Sequence, residues 1–271
     1  GHLIGEHAPA KKEGWKSALQ VIHHLLVSHG AAAQVIRANV PDAQVGIVTN
    51  HAWVDAVSDS PQDLAAKRSM EGYHNRWFLD PLFKGEYPAD MLEAYGNDAP
   101  TIADGDMKLT SVPIDYLGIN YYTRALVKAG TEAPLFLEGV RGENDHTDQD
   151  WEVYPDGLYC LLKWIDAEYH PPKIYITENG AAYDDVKTAD GKIDDVQRER
   201  YLRLHFAAAH RAITEGVPLA GYFVWSLLDN FEWAWGYAKR FGIVYVDFDT
   251  RERTVKRSGE FVRSVIQHNG F

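Results

Sequence analysis

The sequence has very little cysteine, because Cys160 is the only one among its 271 residues. An internal disulfide and a cysteine-based zinc site are therefore both excluded. No apolar run is long enough to span a bilayer. The first residues, Gly1–His7, lack the basic start and the apolar core of a signal peptide. These absences predict a cytoplasmic protein, although the chain does not begin with Met and we expect it to be processed, trimmed or part of something longer.

Positive charge is also scarce, with 27 Lys and Arg residues against 39 Asp and Glu residues and a formal net charge of -12. An acidic chain without basic runs predicts neither a nucleic acid nor a membrane as partner. Metal-ligand patterns are missing as well. His23, His24 and His29 are not spaced as a metal pair on their predicted helix, and the acidic stretch 184–195 lacks the spacing of a calcium loop. We therefore expect no metal site.

A short apolar run that ends in a carboxylate is the most informative feature present. Residues 173–178 are mostly β-branched or aromatic and lead into Glu178, and Asn179 and Gly180 then break the run. This composition predicts a buried strand, with Glu178 at its carboxyl end. Parallel α/β barrels place catalytic groups at that end of their strands. A solvated glutamate in an ordinary turn would give the same local pattern, so the strand alone leaves both interpretations open.

Strands and helices alternate along the whole chain. Predicted strands lie at 44–50, 114–122, 173–178 and 219–226, with helices near 15–39, after Ser60, from Pro155 and over 195–215, a long loop at 130–154, a hairpin at 242–249 and a last helix near 258–267. Helical crossovers between strands predict a parallel sheet. A full barrel needs eight such units, so the pattern predicts either half a barrel or a small open α/β sheet. No linker or repeat is visible, and we interpret residues 1–271 as a single domain.

Aromatic and polar residues are mixed just after the last predicted strand. Trp225, Glu232, Trp233 and Phe241 provide flat apolar faces and a carboxylate, which together suit the ring and the hydroxyls of a sugar. An aromatic core cluster beside a surface glutamate is the simpler interpretation. The nearby asparagine and aspartates favour the sugar site.

Three blocks of the chain resemble those of the family 1 glycoside hydrolases, the retaining β-glucosidase group. They are residues 117–122 (Leu-Gly-Ile-Asn-Tyr-Tyr), 174–180 (Ile-Tyr-Ile-Thr-Glu-Asn-Gly) and 225–233 (Trp-Ser-Leu-Leu-Asp-Asn-Phe-Glu-Trp), in the family's order and spacing. The resemblance covers essentially the whole chain. It implies a (β/α)₈ barrel fold, hydrolysis of β-glucosidic bonds with retention of configuration, a β-glucoside or oligosaccharide substrate, and no cofactor.

The resemblance also implies a role for each matched residue. Glu178 is the expected nucleophile, and Tyr122 is the tyrosine expected to hydrogen-bond it and keep it ionised. Trp225 is expected to floor the sugar site, while Glu232 and Trp233 bind the distal hydroxyls. The remaining two residues of the implied sugar site are Asn120 and Phe241.

One block of the family pattern is absent. A retaining glycosidase needs a second carboxylic acid to protonate the leaving oxygen, and the family carries it in an Asn-Glu-Pro block that does not occur here. His7-Ala8-Pro9 and the helix after it resemble the family's segment immediately C-terminal to that block. We therefore expect the chain to supply about the last four β/α units, a half-barrel whose partner is the missing N-terminal half-barrel. Alone it should be nearly inactive.

Two other interpretations and one assembly prediction stay open at this stage. The chain is alternatively a non-catalytic half-barrel that binds sugar weakly or serves only in folding and assembly, or a small enzyme of another kind. A half-barrel has two bare strand edges, so we also predict self-association, with a homodimer as the simplest form. We expect its uncovered inner face to carry Val45, Ile47, Ile174, Ile176, Phe223 and Trp225.

Overall fold

Four parallel strands form the main sheet of the protein, whose computed structural model describes all of residues 1–271. Their spatial order is β1-β2-β4-β5, and every neighbouring pair is parallel. The strands are Gly46–Ala56 (β1), Tyr116–Ala129 (β2), Leu137–Val140 (β3), Ile174–Glu178 (β4), Leu219–Tyr222 (β5), Val244–Val246 (β6) and Arg253–Val255 (β7). Sequence order and spatial order agree, and helices connect the parallel strands. The prediction of about four β/α units of a barrel is therefore confirmed.

Two of the eight helices begin at start signals that are visible in the sequence. They are Gly14–Asn39 (α1), Pro61–Glu71 (α2), Trp77–Phe83 (α3), Ala89–Tyr95 (α4), Asp106–Thr110 (α5), Pro155–Tyr169 (α6), Val196–Thr214 (α7) and Arg257–His268 (α8). Ser60 caps α2 by accepting a hydrogen bond from the amide of Asp63, and Pro61 occupies the first turn. Pro155 occupies the same place in α6.

The main hydrophobic core lies between the sheet and the helices that cross it. Ile174 and Ile176 on β4 are fully buried there, together with Leu158, Leu161 and Leu162 of α6. Val45 is buried as well, and Ile47 packs against two clusters of buried side chains. The expectation that Val45, Ile47, Ile174 and Ile176 face the inside of the half-barrel is therefore wrong.

The opposite face of the sheet is the open one. Val48 and Phe223 are 47% and 58% exposed. Together with Tyr116, Tyr175 and Thr177, Phe223 borders an open cavity on this face. Of the expected inner-face set, Phe223 lies on this side, and Trp225 lines the separate cavity around Glu178. The prediction assigned the other four side chains to the wrong face of the sheet. A shift of one residue along a strand is enough to move its side chains from one face to the other.

Two predicted connections contain more regular structure than expected. Strands β1 and β2 continue beyond their predicted ends at Asn50 and Tyr122. Their pairing is irregular between His51 and Trp53. At this point the Asn75 side chain forms hydrogen bonds with the backbone of Ala52. Strand β3 lies inside the predicted loop 130–154 and pairs antiparallel with the end of β2. The predicted hairpin lies later than expected, with β6 pairing to β7 over Val244–Val255.

Candidate active site

The carboxylate of Glu178 lies at the carboxyl end of β4, as the sequence predicts. The hydroxyl of Tyr122 donates a hydrogen bond to its Oε2 at 2.6 Å. Burial raises the pKa of Tyr122, and the bond to Glu178 raises it further. The phenol therefore stays protonated over the physiological pH range and remains a donor. Its hydrogen atom is therefore always available for the bond to the carboxylate at the strand end.

A buried hydrogen-bond network holds the backbone on which this pair stands. The side-chain amide of Asn179 donates to the carbonyl of Tyr121 at 2.7 Å and to the hydroxyl of Tyr201 at 3.0 Å. Tyr201 in turn donates to the carbonyl of Tyr122 at 2.9 Å. Asn179 and Tyr201 are almost completely buried. The side chains of Asn179 and Tyr201 thus bond to each other and to the backbone of Tyr121 and Tyr122. They connect the segment after Glu178 to the strand that carries Tyr122.

Gly180 has a clear steric reason for being a glycine. A Cβ atom at this position would lie 1.8 Å from the carbonyl oxygen of Trp225. The amide of Trp225 also donates to the carbonyl of Asn179 at 2.9 Å. The close approach of these two backbones brings the segment after β5 beside the strand that ends at Glu178.

Asn120 lies next to Glu178 on the neighbouring strand. The two residues are paired across β2 and β4, and Asn120 is likewise paired with Asn50 across β1 and β2. The hydroxyl of Thr177 donates to the amide oxygen of Asn120 at 2.7 Å. That bond leaves the amide nitrogen of Asn120 free to bind a ligand in the cavity that it lines.

All seven residues that the resemblance implies line one cavity of about 690 Å³. Phe241 is only 3% exposed and packs edge-on against Tyr122, while Trp233 at the rim is 68% exposed. Glu232 is buried, and the amide of Gln149 donates to its Oε1 at 3.4 Å. Burial raises the pKa of Glu232; contacts with Gln149 and Trp225 oppose the rise, and the charge of Glu178 adds to it.

Five further residues line the same cavity and were missed from the sequence: His7, Asn50, Gln149, Trp151 and Trp235. Trp151 is the most prominent of them. Its ring lies 5.2 Å from that of Tyr122 and 6.0 Å from that of Phe241, measured between centroids. In the sequence, Trp151 is visible only as a tryptophan beside acidic residues in a long loop. Many solvated loops have the same composition, so this pattern did not single it out.

A buried ion pair anchors the segment that carries Trp151 and Gln149. Glu152 is 5% exposed and accepts two hydrogen bonds from Arg124, at 2.7 and 3.1 Å. Arg124 also donates to Asp55 on β1 at 3.0 Å. The segment is thereby attached to both β1 and β2, next to the cavity.

The side chains that could ligate a metal ion are dispersed over the fold. No group of three or more His, Cys, Asp or Glu side chains is arranged to hold one. No helix has both the length and the apolar character that crossing a membrane requires.

Comparison with known proteins identifies the family. The sequence model of glycosyl hydrolase family 1 matches residues 1–271. Among curated relatives, beta-glucosidase A of Thermotoga maritima is 45% identical over the whole chain, and the 1,4-beta-D-glucan glucohydrolase of Thermotoga neapolitana is 44% identical. The protein belongs to glycosyl hydrolase family 1.

Solved structures agree with this assignment. The family 1 β-glucosidase of Thermotoga maritima superposes on the whole chain with a TM-score of 0.97 at 44% identity. Its complex with deoxynojirimycin gives a TM-score of 0.96. In each comparison this chain spans only part of the relative, 60% of the curated Thermotoga maritima protein and 61% of the solved chain. The fold is that of a partial barrel of this glycosidase family.

Proposed function

We propose that this chain carries the nucleophile half of an enzyme that hydrolyses β-glucosidic bonds with retention of configuration. The observation that carries the proposal is the carboxylate of Glu178, held by the Tyr122 hydroxyl inside a cavity walled by tryptophan and phenylalanine. Aromatic walls suit the apolar faces of a sugar, and the amide and carboxyl groups in the same cavity suit its hydroxyls. The curated relatives named β-glucosidase support the choice of β-glucosides as the substrate class.

In the proposed reaction Glu178 attacks the anomeric carbon and forms a glycosyl-enzyme, while the bond to the aglycone oxygen breaks and the general acid protonates that oxygen. Water then hydrolyses that intermediate, so two displacements at the same carbon retain its configuration. The Tyr122 hydroxyl donates a hydrogen bond to the attacking carboxylate and holds it in place. Two carboxyl groups suffice for this chemistry, so we propose that no metal or organic cofactor takes part.

The general acid is the group that this chain does not supply. A retaining enzyme places it about 5–5.5 Å from the nucleophile. Glu178 and Glu232 are the carboxylates among the cavity-lining residues, and we assign Glu232 to the distal sugar hydroxyls. We therefore propose that the acid belongs to an N-terminal half-barrel, joined to this chain or bound to it. Without general acid catalysis, turnover should fall by about 10²- to 10⁴-fold.

A non-catalytic half-barrel is the second candidate, and the exposed inner face favours it. Val48 and Phe223 there are about half exposed. In that case the chain binds sugar weakly or serves only as a folding and assembly unit. A cytoplasmic location is compatible with both proposals.

Complementation tests the proposal directly. The part of the Thermotoga maritima β-glucosidase that lies outside the alignment would be produced separately and mixed with this chain. We expect hydrolysis of an aryl β-glucoside by the mixture and very little by either part alone. Glu178→Gln should abolish the restored activity, while the exposed Arg141→Gln serves as the matched control and should leave it unchanged. Activity that survives Glu178→Gln would overturn the assignment, and a stable complex without activity would favour the non-catalytic alternative.

A further inference from the structure

The loop that carries Glu232 is closed at its base by one buried carboxylate. Asp229 Oδ1 accepts hydrogen bonds from the amide of Gly242 at 2.9 Å and from Lys256 Nζ at 2.7 Å. Its Oδ2 accepts from Arg240 Nη1 at 2.6 Å and from the amide of Val246 at 3.3 Å. The side chain of Asp229 is completely buried. We call these five residues the loop anchor.

The loop anchor joins the two ends of residues 229–242, and the sugar-site residues lie between them. Glu232 is three positions after Asp229, and Phe241 lies between Arg240 and Gly242. The approach is close, because a Cβ atom on Gly242 would lie 2.2 Å from the amide nitrogen of Asp229. Most of the loop surface beyond the anchor is exposed, with Trp233 and Trp235 at 68% and 55%. The base is therefore a main attachment of the loop, together with the bond from Lys239 to the carbonyl of Asp148.

The same carboxylate connects the loop to the strand of the nucleophile. Lys256 is fully buried and bridges Asp229 to Asp185. The Nζ atom of Lys256 lies 2.5 Å from Oδ2 of Asp185. Asp185 pairs with Arg198 at 2.9 Å. Arg198 Nε then donates to the carbonyl of Ala181 at 3.0 Å, three residues beyond Glu178. A continuous path of buried hydrogen bonds thus joins the loop to the segment after β4.

Such a network is not explained by stability alone. Apolar replacements of buried ion pairs are often neutral or stabilising, because desolvation offsets the attraction between the charges. In some proteins hydrogen-bonded buried charges fix one particular geometry. In this protein the relevant geometry is the position of Glu232 and Phe241 relative to the segment after Glu178.

We propose that Asp229 is a positioning residue, which sets the distance of Glu232 and Phe241 from Glu178 and thereby the recognition of the distal sugar hydroxyls. The proposal rests on the proposed function for its sugar, but its structural part concerns this chain alone. If Asp229 had a purely structural role, losing its buried charge would loosen the whole fold.

Hydrogen exchange of the 271-residue chain separates the two roles. In Asp229→Asn, amides of 230–241 should exchange about 10- to 100-fold faster, as the loss of hydrogen bonds to a charged acceptor implies. Amides of β4 should be unchanged. Asp80→Asn is the matched control, because Asp80 is also buried and accepts a hydrogen bond from Tyr169, but lies on α3. It should accelerate exchange on α3 and not in 230–241.

A milder variant covers the case in which Asp229→Asn fails to fold. Arg240→Met removes one donor of the loop anchor from a side chain that is 19% exposed. It should accelerate exchange in the same residues to a smaller degree. Uniform acceleration over the chain, or unchanged exchange in 230–241, would overturn the proposal.

The functional part is tested in the complemented enzyme with two substrates. An aryl β-glucoside and its 4-deoxy analogue differ only in a distal hydroxyl. Asp229→Asn should lower the ratio of their kcat/KM values by about tenfold, because the hydroxyl contact is weakened while the chemistry at the anomeric carbon is retained. An equal loss on both substrates would overturn the proposal. Absence of complementation would count against the proposed function, and the exchange experiment would still decide the role of Asp229.

Discussion

Replacing Arg124 with methionine should destabilise the chain strongly, because it leaves the buried carboxylate of Glu152 without its cation. Arg124 donates two hydrogen bonds to Glu152 and one to Asp55, and its guanidinium lies 3.9 Å from the ring centre of Tyr154. Breaking a buried pair from one side costs about 3–5 kcal/mol. Urea denaturation of the isolated chain, followed by tryptophan fluorescence, measures the change in free energy of unfolding.

Arg141 provides a control in the same segment. It pairs with Asp150 at 2.9 Å, but both side chains are largely exposed, at 62% and 69%. Exposed pairs contribute about 0–1 kcal/mol, so Arg141→Met should change stability by no more than that. The double variant Arg124→Met with Glu152→Gln should recover part of the loss, because it removes the stranded charge. Equal losses for Arg124→Met and Arg141→Met would refute the reasoning.

Three further predictions concern the site, the acid response and the assembly. In the complemented enzyme, Glu232→Gln should lower kcat/KM by a similar factor for substrates with good and with poor leaving groups, because we assign Glu232 to the sugar hydroxyls. A loss confined to substrates with poor leaving groups would instead make Glu232 the general acid. Burial raises the pKa of Glu152, but bonds from Arg124 and Asn144 outweigh it and hold that pKa below its ordinary value. Its contribution to stability is therefore present above about pH 4.3 and is lost as the pH falls further, so Glu152→Gln should flatten the acid limb of the stability profile measured by urea denaturation. The bare edges of β1 and β5 and the exposed Val48 and Phe223 should cause self-association; light scattering that shows a monomer at every concentration would contradict this.

The parts predicted correctly from the sequence are those with strong local signals. The position of Glu178 at a strand end is predictable because an apolar run leads into it and Asn179 and Gly180 come next. A second apolar run places Tyr122 at the end of another strand, whereas the expected roles of both residues came from the resemblance to the family. Both strands are parallel neighbours, so their carboxyl ends meet at one edge of the sheet and bring the two side chains together.

The parts that were missed depend on contacts between distant residues. Trp151 lies beside Glu152, which pairs with Arg124, 28 positions away in the chain, and such a contact leaves no local signal in the sequence. The inner and outer faces of the strands were confused at Val45 and Ile174, because strands of parallel sheets carry apolar residues on both faces and show little alternation. Strand β3 has only 4 residues and needs the edge of β2 to form.

Covalent trapping of the nucleophile tests the central claim most directly. A dinitrophenyl 2-deoxy-2-fluoro-β-glucoside has a leaving group that departs without protonation, and its fluorine slows hydrolysis of the glycosyl-enzyme. The complemented enzyme would be treated with this reagent, digested and analysed by mass spectrometry. We expect one fluoroglucosyl group on the peptide that contains Glu178, and none in Glu178→Gln. A label on any other residue, or an unlabelled Glu178 in a preparation that hydrolyses aryl β-glucosides, would contradict it.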